Sequence, residues 1–207
     1  MTEVSENQPP LCACTAATVA DLPAARVVAS TFRAKHPGSR FVILLVDGDP
    51  GGQDVVTPAE IGVADPELAR LATSYTAAQA RVVLRPRLLE SLLSAGQPVI
   101  YLDPQVLVLD SVTEIVTDGL RAADVLLVPR VLHALPEDGR RPAPHELRAA
   151  GVYDPGFLAV APGAEPLLRS WADRARRDPD GSDTFLDGVP ALVDHRVVRD
   201  EGIGLSV

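Results

Sequence analysis

The chain has 207 residues, 46% of them hydrophobic, and a formal net charge of −9 at pH 7. This is apolar material for one sizeable core, and the acidic balance leaves no basic face to neutralise a phosphate backbone, which argues against nucleic acid as a partner. The polar opening MTEVSENQPP lacks the basic start and apolar run of a signal peptide, and no later stretch is long enough to span a bilayer. A cytoplasmic protein is expected, with residues 1–10 disordered and 11–207 forming one domain.

LCACTA at 11–16 reads as a strand, with Cys12 and Cys14 on one face as core thiols, too close together for an ordinary disulfide. Asp21 and Pro23 suit a helix start, and Leu22, Val27, Val28 and Phe32 make an apolar stripe that runs on to Lys35. HPGS at 36–39 closes that helix, with His36 where a partial positive charge is favourable. FVILLVD at 41–47 is a second buried strand, so the segment forms a βαβ unit with a parallel pair and a right-handed crossover. The loop DGDPGGQD at 47–54 has no basic residue and no following GK[ST], which excludes a P-loop, and no G-x-G-x-x-G follows a strand.

Helical patterns follow at 66–74 and 77–95, the second with Pro86 as a break or a new first turn. VIYL at 99–102 is a buried strand that stops at Asp103 and Pro104, because proline cannot donate to the ladder and biases the residue before it away from helix. DVLLVPR at 124–130 is another strand, 131–145 a Pro-rich loop, and GVYDPGFLAVAP at 151–162 a strand-like segment. In the helix at 164–177, the spacing of Trp171 from Leu167 and Leu168 makes the only tryptophan a core anchor.

Buried strands with helices between them specify a Rossmann-type α/β/α sandwich with a mostly parallel central sheet, and ligands of such sheets lie beyond the carboxyl ends of the strands. Asp47 and Asp103 both sit there. The bland role for either carboxylate is to cap its own loop. His133 and His145 fall in the long loop with Arg140 and Arg141, where solvated side chains are the rule; His195 is the histidine with a weak claim to a metal.

The segments LPAARVVASTFRAKHPGSRFVILLVD, VLRPRLLESLLSAGQPVIYLDPQVLVLDSV and GVYDPGFLAV, with a Trp-bearing helix after them, resemble nucleotide-sugar-dependent glycosyltransferases of the GT-A type found in actinobacteria. YLDPQ at 101–105 is similar to that family's D-x-D element at the end of a central strand. The resemblance implies a GT-A-like fold and transfer of a hexose from a nucleoside diphosphate sugar to an unknown acceptor. It implies nucleotide contacts at Thr15, Ala16, Asp47 and Arg85, and sugar-side contacts at Gln105, Tyr153 and Gly156. Asp103 would be a ligand for Mn²⁺ or Mg²⁺, with Asp154 and Asp187 near the reacting centre. Hard oxygen ligands hold such an ion against the leaving diphosphate.

The departures from that pattern are specific. Gln105 stands where the second aspartate is expected, and a neutral amide is a weaker ligand for a hard dication. Asp154 and Pro155 replace an asparagine and a leucine, Gly188 follows Asp187 where glutamine is usual, and the family's longer aromatic close is missing. They leave two readings: an active transferase that does without tight metal binding, or a catalytically silent domain that binds nucleotide, a partner glycosyltransferase or a further domain of a larger protein.

Overall fold

A computed structural model describes residues 10–49, 52, 54–134 and 143–203. Residues 1–9 of the expected disordered segment, and Arg140 and Arg141, lie outside the described residues. The apolar runs become β1 (Cys12–Ala17), β2 (Arg40–Leu45), β4 (Val99–Leu102), β5 (Val125–Pro129) and β6 (Tyr153–Val160). Two short edge strands, β3 (Val55–Val56) and β7 (His195–Val197), complete the sheet. The helices are α1 (Leu22–Lys35), α2 (Asp65–Ser74), α3 (Ala77–Leu93), α4 (Thr113–Leu120), α5 (Pro144–Ala150) and α6 (Glu165–Arg177). No helix among the described residues is long and apolar enough to cross a membrane.

The strand order is β3-β2-β1-β4-β6-β5-β7. Every neighbouring pair is parallel except those of β6, which runs against both β4 and β5. Because successive side chains leave opposite faces of a strand, the continuous apolar runs divide into two cores. Cys14, Ala16, Val99 and Tyr101 pack under α3 and α6 with Leu84, Leu88, Leu168 and Trp171. Ala13, Ala17, Ile100 and Leu102 pack under α1 and α4 with Val28, Phe32 and Val116. The result is the expected three-layer sandwich. Cys12 and Cys14 share the α3/α6 face, and burial pushes both thiols up, as befits core residues.

Two local expectations are corrected. Pro86 neither breaks nor restarts its helix: α3 runs through it from a capping box in which Thr76 Oγ1 accepts from the Gln79 N–H and Gln79 Oε1 from the Thr76 N–H. A proline inside a helix costs about 3 kcal/mol, and burial of Val83, Leu84, Leu88, Leu89 and Leu93 on the same helix offsets it. His36 carries no favourable charge at the end of α1. It is buried; its Nδ1–H donates to the Phe32 carbonyl (2.8 Å) and its Nε2 accepts from the Val112 N–H (2.9 Å). Only a neutral ring makes both bonds. Burial lowers its pKa, against the opposing pull of the Phe32 carbonyl and Asp110.

Candidate functional site at the strand ends

At the end of β4 the Asp103 N–H still donates to the Gly156 carbonyl of β6 (2.9 Å), and the Val106 N–H then closes a turn onto the Asp103 carbonyl (3.0 Å). Pro104 occupies the turn position that its fixed φ suits, and Asp103 Oδ1 accepts from the Gln105 N–H (3.0 Å). The proline therefore presents the carboxylate at the rim. Asp103 Oδ2 meets Arg81 Nη1 at 3.4 Å, with both side chains about a quarter exposed (22% for Arg81, 25% for Asp103).

Because β6 is antiparallel, its beginning lies at the rim where β4 ends. Tyr153, Asp154 and Gly156 thus arrive beside Asp103. Asp154 Oδ1 accepts from the Gly156 N–H (2.9 Å). A Cβ on Gly156 would stand 3.0 Å from that oxygen and 3.5 Å from Asp103 Cβ, so the glycine is what lets both aspartate side chains lie against this point of β6. Arg130, the residue after β5, points Nη1 toward Asp154 Oδ1 (4.0 Å) while Nη2 donates to the Ala150 carbonyl (3.0 Å). Asp187 sits in the 3₁₀ segment Asp183–Ala191, and its Oδ1 accepts from the Val152 N–H (2.8 Å) just before β6.

On the other half of the rim, Asp47 Oδ1 accepts from the Val19 N–H (2.8 Å) and ties the end of β2 to the end of β1. Four carboxylates, Asp47, Asp103, Asp154 and Asp187, thus each hold a backbone N–H at one end of the sheet. Gln105 is exposed beside them, and Tyr153 is half-buried.

Three of the residues expected at the nucleotide are buried. Thr15 and Ala16 are fully buried within β1; the first exposed residues after it are Val19 and Ala20. Arg85 is only 2% exposed. Its guanidinium lies 4.9 Å from the Tyr101 ring and 5.7 Å from the Trp171 ring, and Nη1 donates to Asp183 (2.9 Å). Burial opposes its charge, but Tyr101, Asp183 and Asp103 favour it and the net shift is upward. Trp171 Nε1 donates to the carbonyl and the hydroxyl of Ser182, so Arg85 and Trp171 together anchor the segment that carries Asp187. His195 pairs with Val125 at the opposite end of the sheet.

Arg81 and Arg130 are rim residues that sequence reading did not single out. A signal for each exists: Arg81 precedes Arg85 by one helical turn, and Arg130 follows a buried strand just as Asp47 does.

A dication fits this donor set poorly. One Asp103 oxygen caps a turn and the other faces a guanidinium, Gln105 adds no charge, and no three His, Cys, Asp or Glu side chains among the described residues converge as metal ligands.

The architecture is that of the GT-A-type glycosyltransferases. GlyE of Streptococcus pneumoniae TIGR4, a glycosyltransferase, is 14% identical and aligns with a TM-score of 0.58 over 95% of this chain and 47% of its own. This chain thus spans about half of that protein. A glycosyltransferase involved in glycosylation of the major capsid of PBCV-1 is 10% identical, with a TM-score of 0.55 over 92% of this chain and 82% of its own. The galactosyltransferase LgtC, solved in complex with donor and acceptor sugar analogues, is 16% identical, with a TM-score of 0.53 over 90% of this chain and 73% of its own. At such identities the likeness is one of fold. No protein-family model and no curated protein matches the sequence.

Proposed function

We propose that this chain is a glycosyltransferase that takes a hexose from a nucleoside diphosphate sugar to an acceptor. The observation that carries the reading is the rim itself: Asp103, which meets Arg81, and Asp154, near Arg130, both lie against Gly156 at the sheet end where such folds take their ligands. The nucleotide would lie toward Thr18, Val19 and Asp47, the diphosphate near Asp103, and the sugar toward Tyr153, Gly156 and Asp154.

In the transfer, the bond between the anomeric carbon and the diphosphate oxygen breaks, and its electron pair leaves on the diphosphate. A bond to the acceptor oxygen forms, and the acceptor's proton passes to a rim carboxylate. Asp154 already faces Arg130, so Asp187, exposed and held by Val152, is the carboxylate assigned to that proton.

The test is incubation with UDP-, GDP- and dTDP-hexoses, with water as the default acceptor and chromatographic detection of released nucleoside diphosphate. Slow release from one donor, lost in Asp187→Asn, is expected. The scaffold reading draws on the same rim, because all four carboxylates already serve the loops as caps. A folded protein that binds a diphosphate and releases none from any donor would favour it.

A further inference from the structure

We propose that Arg81 and Arg130 supply the positive charge that a diphosphate needs here, in place of a divalent cation, and that Asp103 is a positioning residue for Arg81 rather than a metal ligand. This rests on the nucleotide-sugar reading and deepens it.

The argument begins with Asp103. Its Oδ1 accepts from the Gln105 N–H, which sets the orientation of the carboxylate, and Arg81 Nη1 stands 3.4 Å from its Oδ2. A dication bound to that oxygen would have to displace the guanidinium or sit against its charge. The replacement of the second carboxylate by Gln105 removes the negative charge that would favour such an exchange.

Arg130 stands near Asp154 as Arg81 stands near Asp103. Its Nη2 is tied to the Ala150 carbonyl and its Nη1 leans toward Asp154, so its position is set by the start of β6. Each guanidinium carries more N–H donors than its partners among the described residues use. Gly156 itself adds no side chain where a Cβ would meet Asp154 Oδ1 and Asp103 Cβ, so that corner of the rim is not crowded by its own residue. Planar guanidinium groups bind phosphate oxygens through paired hydrogen bonds, and unlike a metal ion they need no ligand set of their own.

Arg85, the arginine that the motif itself suggests, is unsuited to this task. It is buried and committed to Asp183. Arg81 lies one turn, about 6 Å, nearer the start of α3. It reaches the rim because α3 begins there and leads into β4, whose far end is Asp103.

The experiment is calorimetric titration with UDP, GDP and dTDP, first in EDTA and then with Mn²⁺, for the parent protein, Arg81→Gln, Arg130→Gln and Arg81→Lys, with circular dichroism to confirm folding. The best diphosphate should bind in EDTA, with Mn²⁺ changing its affinity by less than about threefold. Arg81→Gln and Arg130→Gln should each weaken it by about tenfold or more, as expected for loss of a charged hydrogen bond. Arg81→Lys should recover part of the loss, and affinity for the matching nucleoside without phosphate should stay unchanged, which a merely structural effect would not produce. Binding only with Mn²⁺, or full binding in folded Arg81→Gln, would overturn the guanidinium proposal and leave the nucleotide-sugar reading in place. No binding in either medium by folded parent protein would overturn both. Should Arg81→Gln fail to fold, Arg130→Gln and the fall in affinity of the parent with added salt decide the matter.

Discussion

Arg81 and Arg85 lie one turn apart on α3, yet the first meets Asp103 at the rim of the sheet and the second pairs with Asp183 beneath it, between the rings of Tyr101 and Trp171. The residue type is the same and so is the helix face. Depth decides the role. At the rim the guanidinium is partly solvent-exposed, whereas in the core its charge holds the Asp183–Ala191 segment against the sheet. The family resemblance directs attention to Arg85; burial directs it to Arg81.

The comparison can be broken most easily at Arg85. Arg85→Leu leaves Asp183 without its cation and the segment behind it without an anchor. Chemical denaturation should show a loss of about 3 kcal/mol or more. An unchanged midpoint would mean that the pair is not structural. Gly156→Ala pushes a methyl against Asp154 Oδ1 at 3.0 Å, and the same measurement should show a loss of about 1–2 kcal/mol together with weakened diphosphate binding.

His36 supplies a pH test away from both arginines. Its folded pKa is lowered, so the unfolded chain binds the proton more tightly. Its contribution is fully present above the unfolded value near 6.5 and is lost as pH falls toward the folded value. Unfolding free energy should therefore drop as the solution is acidified through that window, and His36→Asn should flatten the slope. Arg81→Gln should have the smallest effect on stability, about 1 kcal/mol or less, because its ion pair is partly solvated. A larger loss would place Arg81 with Arg85 as a structural residue.

The strands at 11–16, 41–47 and 99–102 were legible because an unbroken apolar run has few alternatives to a strand covered on both faces. From them the rim positions of Asp47 and Asp103 follow. The direction of β6 was not legible, because the same alternation suits either orientation and only pairing with β4 and β5 decides it. That reversal is what delivers Asp154 to Asp103. The burial of Arg85, proposed from the family resemblance, was not legible either, because it depends on α3 running unbroken through Pro86 from Ala77. Asp187 and Asp183 lie in a 3₁₀ segment, whose short period leaves no stripe in the sequence.

The most direct test of the central claim is amide chemical-shift mapping of ¹⁵N-labelled protein, in EDTA, as UDP, GDP and dTDP are added in turn. The N–H groups of Val19, Gln105, Val152 and Gly156 report on the rim, because each is held by one of its carboxylates. With the diphosphate that binds, Gln105 and Gly156 should shift most, and Val19 should follow as the nucleotide settles over β1 and β2. Perturbations confined to the charged groove of Glu67, Arg70, Asp173 and Arg177 between α2 and α6, with the rim amides unmoved, would contradict the account.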